Sequence, residues 1–174
     1  MTDKKELKGL GGWLILVGIG VVITPIRLLV VYLPLYLPLF QDGTWAALTT
    51  PGSDYYTPYF GALLIGEILF NTAMLLASCC LIYLFFARHH RFPRLYIALN
   101  LTALVFIPLD AWLVTQLFPQ EPMFDADTAK EFARSLFACL VWVPYMLVSK
   151  RVKATFIEKR PASPAMAAEP VPGD

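Results

Sequence analysis

A chain of 174 residues that is 57% hydrophobic and 16% charged, with a mean hydropathy of +0.60, is too apolar for an ordinary soluble domain. Apolar runs of about 18 residues or more mark membrane spans, and four of them fill most of the length, leaving no room for a soluble catalytic domain. The net charge of +1 says little beside its distribution along the chain, and no nucleic-acid partner is expected.

Residues 1–9 form a charged lead. The first span covers about 10–40, more than a membrane needs. Its basic start and apolar run imitate a signal peptide, but the run is too long and no small-residue cleavage pattern follows, so a retained helix is expected. Pro34 and Pro38 either end this helix or ride within it at the membrane surface. From Gln41 to Tyr59 a loop carries Trp45, Tyr55, Tyr56 and Tyr59, rings that favour the headgroup zone. An interfacial belt is preferred here over a ligand lid, and Trp45–Leu48 has the makings of a short surface helix.

The second span covers about 60–87. A tight basic turn, Arg88 to Arg94, leads to a third span of about 95–118. The next connection, Pro119 to Lys130 with Glu131 at its edge, is acidic and contains proline, and the fourth span covers about 132–148. Residues 10–157 thus read as one transmembrane domain, and 158–174 as a disordered cytoplasmic tail. Eleven of the fourteen Lys and Arg fall in the lead, in the Arg88–Arg94 turn and at 150–160. By the positive-inside rule both termini and the middle turn are cytoplasmic. The expected fold is all-α, an antiparallel four-helix transmembrane bundle.

Arg27, Glu67, Asp110 and Arg134 lie inside the four spans. At about 1.5 Å per residue from the basic end of each span, they sit roughly 28, 30, 24 and 24 Å up, with Asn71 at about 25 Å. Charge at membrane depth marks a paired core or a functional site. Glu67, Asn71, Met74 and Ser78 share one helix side, as do Asn100, Ala103, Ile107 and Asp110, and Gly12, Leu16, Gly20, Ile23 and Arg27. Such stripes should face the bundle interior, and a close Arg–carboxylate contact centred on Arg27 is expected. The favoured reading is a structural lock; the other is a polar cavity opening outward for an ion, an acidic solute or a lipid headgroup. Arg134 could also snorkel to the surface. Pro25 and Pro108 each precede a layer charge by two positions, where a freed carbonyl can help build a midplane site.

The motif search argues against catalysis. His89 and His90 are adjacent in a cytoplasmic turn and cannot serve as axial haem ligands within the bundle. No cysteine shares their depth for a zinc site, and Cys79, Cys80 and Cys139 all lie in spans. No nucleophile elbow, zinc helix or phosphate loop occurs. No enzyme activity, cofactor or metal is expected.

Small residues four apart (Ala62/Gly66, Ala73/Ala77) let membrane helices approach closely, and Gly12, Gly18 and Gly20 slim the first helix. Packing within the monomer is the favoured use, though the same chemistry serves a homo-oligomer. At the close, Lys150, Arg151 and Lys153 with Val152 and Phe156 form a basic strip suited to anionic headgroups, or to another membrane or cytoplasmic protein.

Three strings carry a resemblance: Gly9-Leu10-Gly11-Gly12-Trp13-Leu14-Ile15-Leu16, Thr24-Pro25-Ile26-Arg27, and Val148-Ser149-Lys150-Arg151-Val152-Lys153-Ala154-Thr155-Phe156. With them, residues 8–157 resemble a bacterial family of small four-span inner-membrane proteins, catalogued as a domain of unknown function and of the YdgK type. The resemblance implies a bacterial inner membrane and four helices. It suggests recurring positions at Gly12, Trp13, Pro25, Arg27, Lys150, Arg151 and Lys153, and it transfers no activity. The leading functional expectation is a non-enzymatic accessory or interaction protein. The alternative is a small transporter or ligand-binding bundle using Arg27, Glu67, Asn71 and Asp110.

Overall fold

The computed structural model describes residues 9–157, which form helices and connections with no strand among them. Residues 1–8 of the charged lead and the 158–174 tail lie outside the described residues. Helix α1 spans Trp13–Gln41 and α2 spans Thr44–Thr49. Then come α3 at Phe60–Phe86, α4 at Phe92–Leu117, α5 at Ala126–Val148 and α6 at Lys150–Val152. A π-helical turn at Lys153–Ile157 follows α6 directly. Four helices, α1, α3, α4 and α5, are each long and apolar enough to cross a membrane. The protein is a polytopic membrane protein built as a four-helix transmembrane bundle. Its basic end carries Arg88, Arg91, Arg94 and Lys150, and its acidic end Asp42, Asp54, Glu121, Asp125 and Asp127.

Helix α1 runs through Pro25, Pro34 and Pro38 without a break. A proline costs a helix one donor and frees one carbonyl, and membrane helices tolerate this where local groups re-satisfy the backbone. Beside Pro25, the Thr24 hydroxyl donates to the Gly20 carbonyl at 2.7 Å. Gly43, at φ 80°, turns the chain into α2. This is the surface helix expected at Trp45–Leu48. It is pinned by Trp45 stacking on Phe40 at 5.4 Å.

Helix α5 begins six residues before the expected boundary. Its N-cap Asp125 accepts from the Thr128 N–H at 2.7 Å, and Asp127 sits in the first turn, favourably placed at the positive end of the helix dipole. Glu131, expected in the connection, is therefore helical. The Thr128 N–H holds the Asp125 carboxyl below its ordinary pKa. A depressed carboxylate pKa adds stability that is present above the unfolded value and is lost as pH falls through the folded one. Asp125→Ala should fray the start of α5 at neutral pH, and the gap from the parent should close on acidification. Amide hydrogen exchange across residues 126–131 measures both.

The core lies at the basic end. Leu14, Val17 and Val21 of α1 meet Leu81, Leu84 and Phe85 of α3, Phe92 and Tyr96 of α4, and Met146 of α5. Val152 and Phe156 complete it from the closing segment. Phe156 stacks on Phe92 at 4.7 Å and lies 6.0 Å from Phe85. The closing segment is thus folded across the bundle end, with the Gly9 N–H donating to the Thr155 hydroxyl at 3.3 Å. Close backbone packing is extensive between α1 and α3, α3 and α4, and α4 and α5, and is no more than slight between α1 and α5.

Two expected faces need correction. The inward stripe of α1 is Leu14, Val17, Gly18, Val21 and Pro25. Gly12, Leu16, Gly20 and Ile23 face outward. The helix is apolar all round, so hydropathy could not select a side. On α3, Ala62, Gly66 and Ala73 are exposed, and a Cβ on Gly66 would meet nothing within 4 Å. Close packing inside the monomer falls instead on Gly18, where a Cβ would meet the Phe85 ring at 2.8 Å.

Candidate functional site

The layer divides into a paired half and an unpaired half. Arg27 of α1 donates through Nη2 to Glu131 Oε1 of α5, and Arg134 Nη1 binds the same oxygen at 2.7 Å from one turn along α5. A single carboxylate therefore serves two guanidinium groups and bridges α1 and α5, the loosely packed seam of the bundle. The Arg–carboxylate contact centred on Arg27 exists, with Glu131 as its partner. Arg134 is engaged in the same triad.

Glu67 of α3 and Asp110 of α4 are half-buried and carry no ion pair among the described residues. They lie within electrostatic range of one another. Their helices pack directly, with Phe70 stacked on Phe106 at a centroid distance of 3.4 Å. With both arginines held by Glu131, these carboxylates have no cation paired with them among the described residues.

Two residues that sequence reasoning passed over join the halves. Tyr32 is in electrostatic range of Glu131, Arg27, Asp110 and Glu67, and Tyr36 of Glu67 and Asp110. One turn apart on α1, their rings stack at 5.6 Å and 9°. Asn71 Nδ2 donates to the Tyr36 hydroxyl at 2.9 Å. The available signal was two phenols at helical spacing, five and nine residues beyond an intramembrane arginine. Between α1 and α3, Leu28, Tyr32, Tyr36, Asn71, Thr72 and Leu75 line a cleft of about 140 Å³. That is close to the size of an apolar cavity that accepts a benzene-sized guest.

The basic strip is divided. Lys150 and Lys153 are exposed, whereas Phe156 is 3% exposed within the core and cannot serve as a membrane anchor. Arg151 lies over the opening loop, where a Cβ on Gly11 would come 2.9 Å from its Nη1. Among the described residues no cluster of three or more His, Cys, Asp or Glu could hold a metal ion.

No curated protein and no solved structure matches the chain. The four spans, the Arg27 contact and the segment folded over the basic end all fall within residues 7–157, which match the family model described as "Protein of unknown function (DUF2569)", and the chain belongs to that family.

Proposed function

We propose that the protein is a small ligand-binding or transport bundle of the bacterial inner membrane, non-enzymatic, with both termini in the cytoplasm. Its site takes a cationic ligand at Glu67 and Asp110 in the acidic half. The observation that carries this reading is the division of charge: Glu131 occupies both arginines, and two carboxylates on adjoining helices carry no ion pair among the described residues. Ionised groups at membrane depth demand a partner, so these either hold protons or release them in favour of a cation. Arg27, Arg134 and Glu131 act as the scaffold that keeps α1 and α5 together around the site.

The test is titration of the detergent-purified protein with ethylammonium chloride at neutral pH. Binding should weaken by about tenfold or more in Glu67→Gln/Asp110→Asn, at unchanged helix content. Equal affinity in that variant would overturn the proposal.

An accessory role is the second reading, favoured by exposed Arg88, Arg91, Arg94, Lys150 and Lys153 at one end of the bundle. Each basic residue near an anionic surface is worth about 1 kcal/mol. Crosslinking from Lys150 and Lys153 in cells should then capture a defined cytoplasmic or membrane protein; capture of lipid alone would count against it.

A further inference from the structure

The cleft between α1 and α3 exists because the two helices meet differently along their length. Near the basic end Gly18 lets the Phe85 ring sit against the α1 backbone. Toward the acidic end Tyr32 and Tyr36 of α1 face Asn71, Thr72 and Leu75 of α3 across the gap they line together. Leu29, Leu33 and Thr72 are exposed on its rim. In a bilayer, that rim faces lipid. An occupant therefore arrives from the lipid phase.

The walls grade from polar to apolar. The Tyr36–Asn71 hydrogen bond lies toward the acidic end. Leu75 is one turn deeper on α3, and Leu28 two turns deeper on α1, about 12 Å from Tyr36 by helix rise. Glu67 lies beyond the lining itself, one turn above Asn71 on the same side of α3 and about 6 Å further along the helix, without an ion pair among the described residues. The Asn71–Tyr36 bond uses one of two amide hydrogens and leaves the Asn71 carbonyl and the Tyr36 O–H available. Both Tyr36 and Asn71 line the cleft. A polar group in an apolar setting gains most from a ligand that completes its hydrogen bonds.

We infer that this cleft binds an amphiphile with a cationic amine head: the ammonium at Glu67, hydrogen bonds at Tyr36 and Asn71, and one alkyl chain lying inward along Leu28 and Leu75. The orientation matches a lipid-phase molecule whose head points to the acidic surface. The inference rests on the reading of Glu67 as a ligand-binding carboxylate and adds the ligand class, an alkylamine rather than a small hydrated cation.

Native mass spectrometry of the detergent-purified protein, titrated separately with dodecylamine, ethylamine and dodecanol, tests it. Dodecylamine should bind one-to-one and about tenfold or more tighter than ethylamine. Thr72→Phe, at the lipid-exposed rim, should fill the cleft, lower dodecylamine binding to the ethylamine level and leave ethylamine unchanged. Tyr36→Phe, which removes only a hydroxyl, should weaken dodecylamine binding as well. Dodecanol binding as tightly as dodecylamine, or dodecylamine binding unmoved by both variants, would overturn the inference. If ethylamine binding still depends on Glu67 and Asp110 while the alkyl chain adds nothing, the amphiphile fails and the cation site stands. If ethylamine binding ignores both carboxylates, the parent reading fails too.

Discussion

Glu131→Leu should destabilise the protein more than loss of either arginine it binds. It leaves Arg27 and Arg134 together at membrane depth with no carboxylate. Removing one member of a fully buried pair costs about 3–5 kcal/mol, and a lone arginine at a helix centre costs about 2.5–3.5 kcal/mol on insertion scales. Here the Arg27 and Glu131 side chains are 41% and 45% exposed, so each guanidinium can partly snorkel toward headgroups. A loss of about 2 kcal/mol is the appropriate scale. Arg27→Leu should cost less, about 1 kcal/mol, because Glu131 keeps Arg134 at 2.7 Å.

The Arg27→Leu/Glu131→Leu double variant should show a coupling energy of about 1 kcal/mol. Thermal unfolding in one fixed detergent gives the whole cycle. The order matters more than the size. Arg27 joins two helices, whereas Arg134 and Glu131 share one, so Arg27→Leu should also loosen α1 from α5. Equal effects from Arg27→Leu and Arg134→Leu would mean the triad is a local helix pair and does not bridge the seam.

The four spans were legible because hydropathy over about 20 residues depends little on tertiary context. Arg27 was legible as an ion-pair centre for a similar reason: a guanidinium in lipid must find a carboxylate. Its partner is hidden from hydropathy, which starts α5 only where the apolar run begins. The capping pattern Asp125-Ala126-Asp127-Thr128 points to an earlier start, and the same ruler from Lys150 puts Glu131 about 28 Å up, level with Arg27. Val152 and Phe156 were legible as one face of a helical strip. That the face meets protein rather than lipid follows from Phe85 and Phe92, a platform assembled by two other helices. The cleft could not be read at all, since it is lined by residues of two helices whose facing sides hydropathy does not select.

Gly18→Val should be the most disruptive single substitution on α1. A Cβ at Gly18 would lie 2.8 Å from Phe85 Cε1 and Cζ, closer than real side chains allow. Phe85 cannot step aside, because it is 2% exposed and packs edge-on to Phe86 and against Phe92 and Phe156. The helices must therefore separate at the best-packed point of the molecule. Overpacking of this kind costs about 1–3 kcal/mol, and the upper end applies where a helix backbone is the surface being displaced.

Gly20→Val is the matched control. A Cβ there meets nothing within 4 Å, and β-branched residues are ordinary on a lipid-facing helix surface, so stability should hold within about 0.5 kcal/mol. Phe85→Leu alone should also destabilise, by the cavity it leaves. Combined with Gly18→Val it should recover part of the loss, because the smaller side chain vacates the space the new methyl groups need. Melting temperatures of the four variants decide the matter. Indistinguishable Gly18→Val and Gly20→Val, or strictly additive Gly18→Val and Phe85→Leu, would mean that the inward face of α1 is not the one through Leu14, Val17, Gly18 and Val21. The acidic-end cleft depends on that same face, since a rotated α1 would carry Tyr32 and Tyr36 away from Asn71.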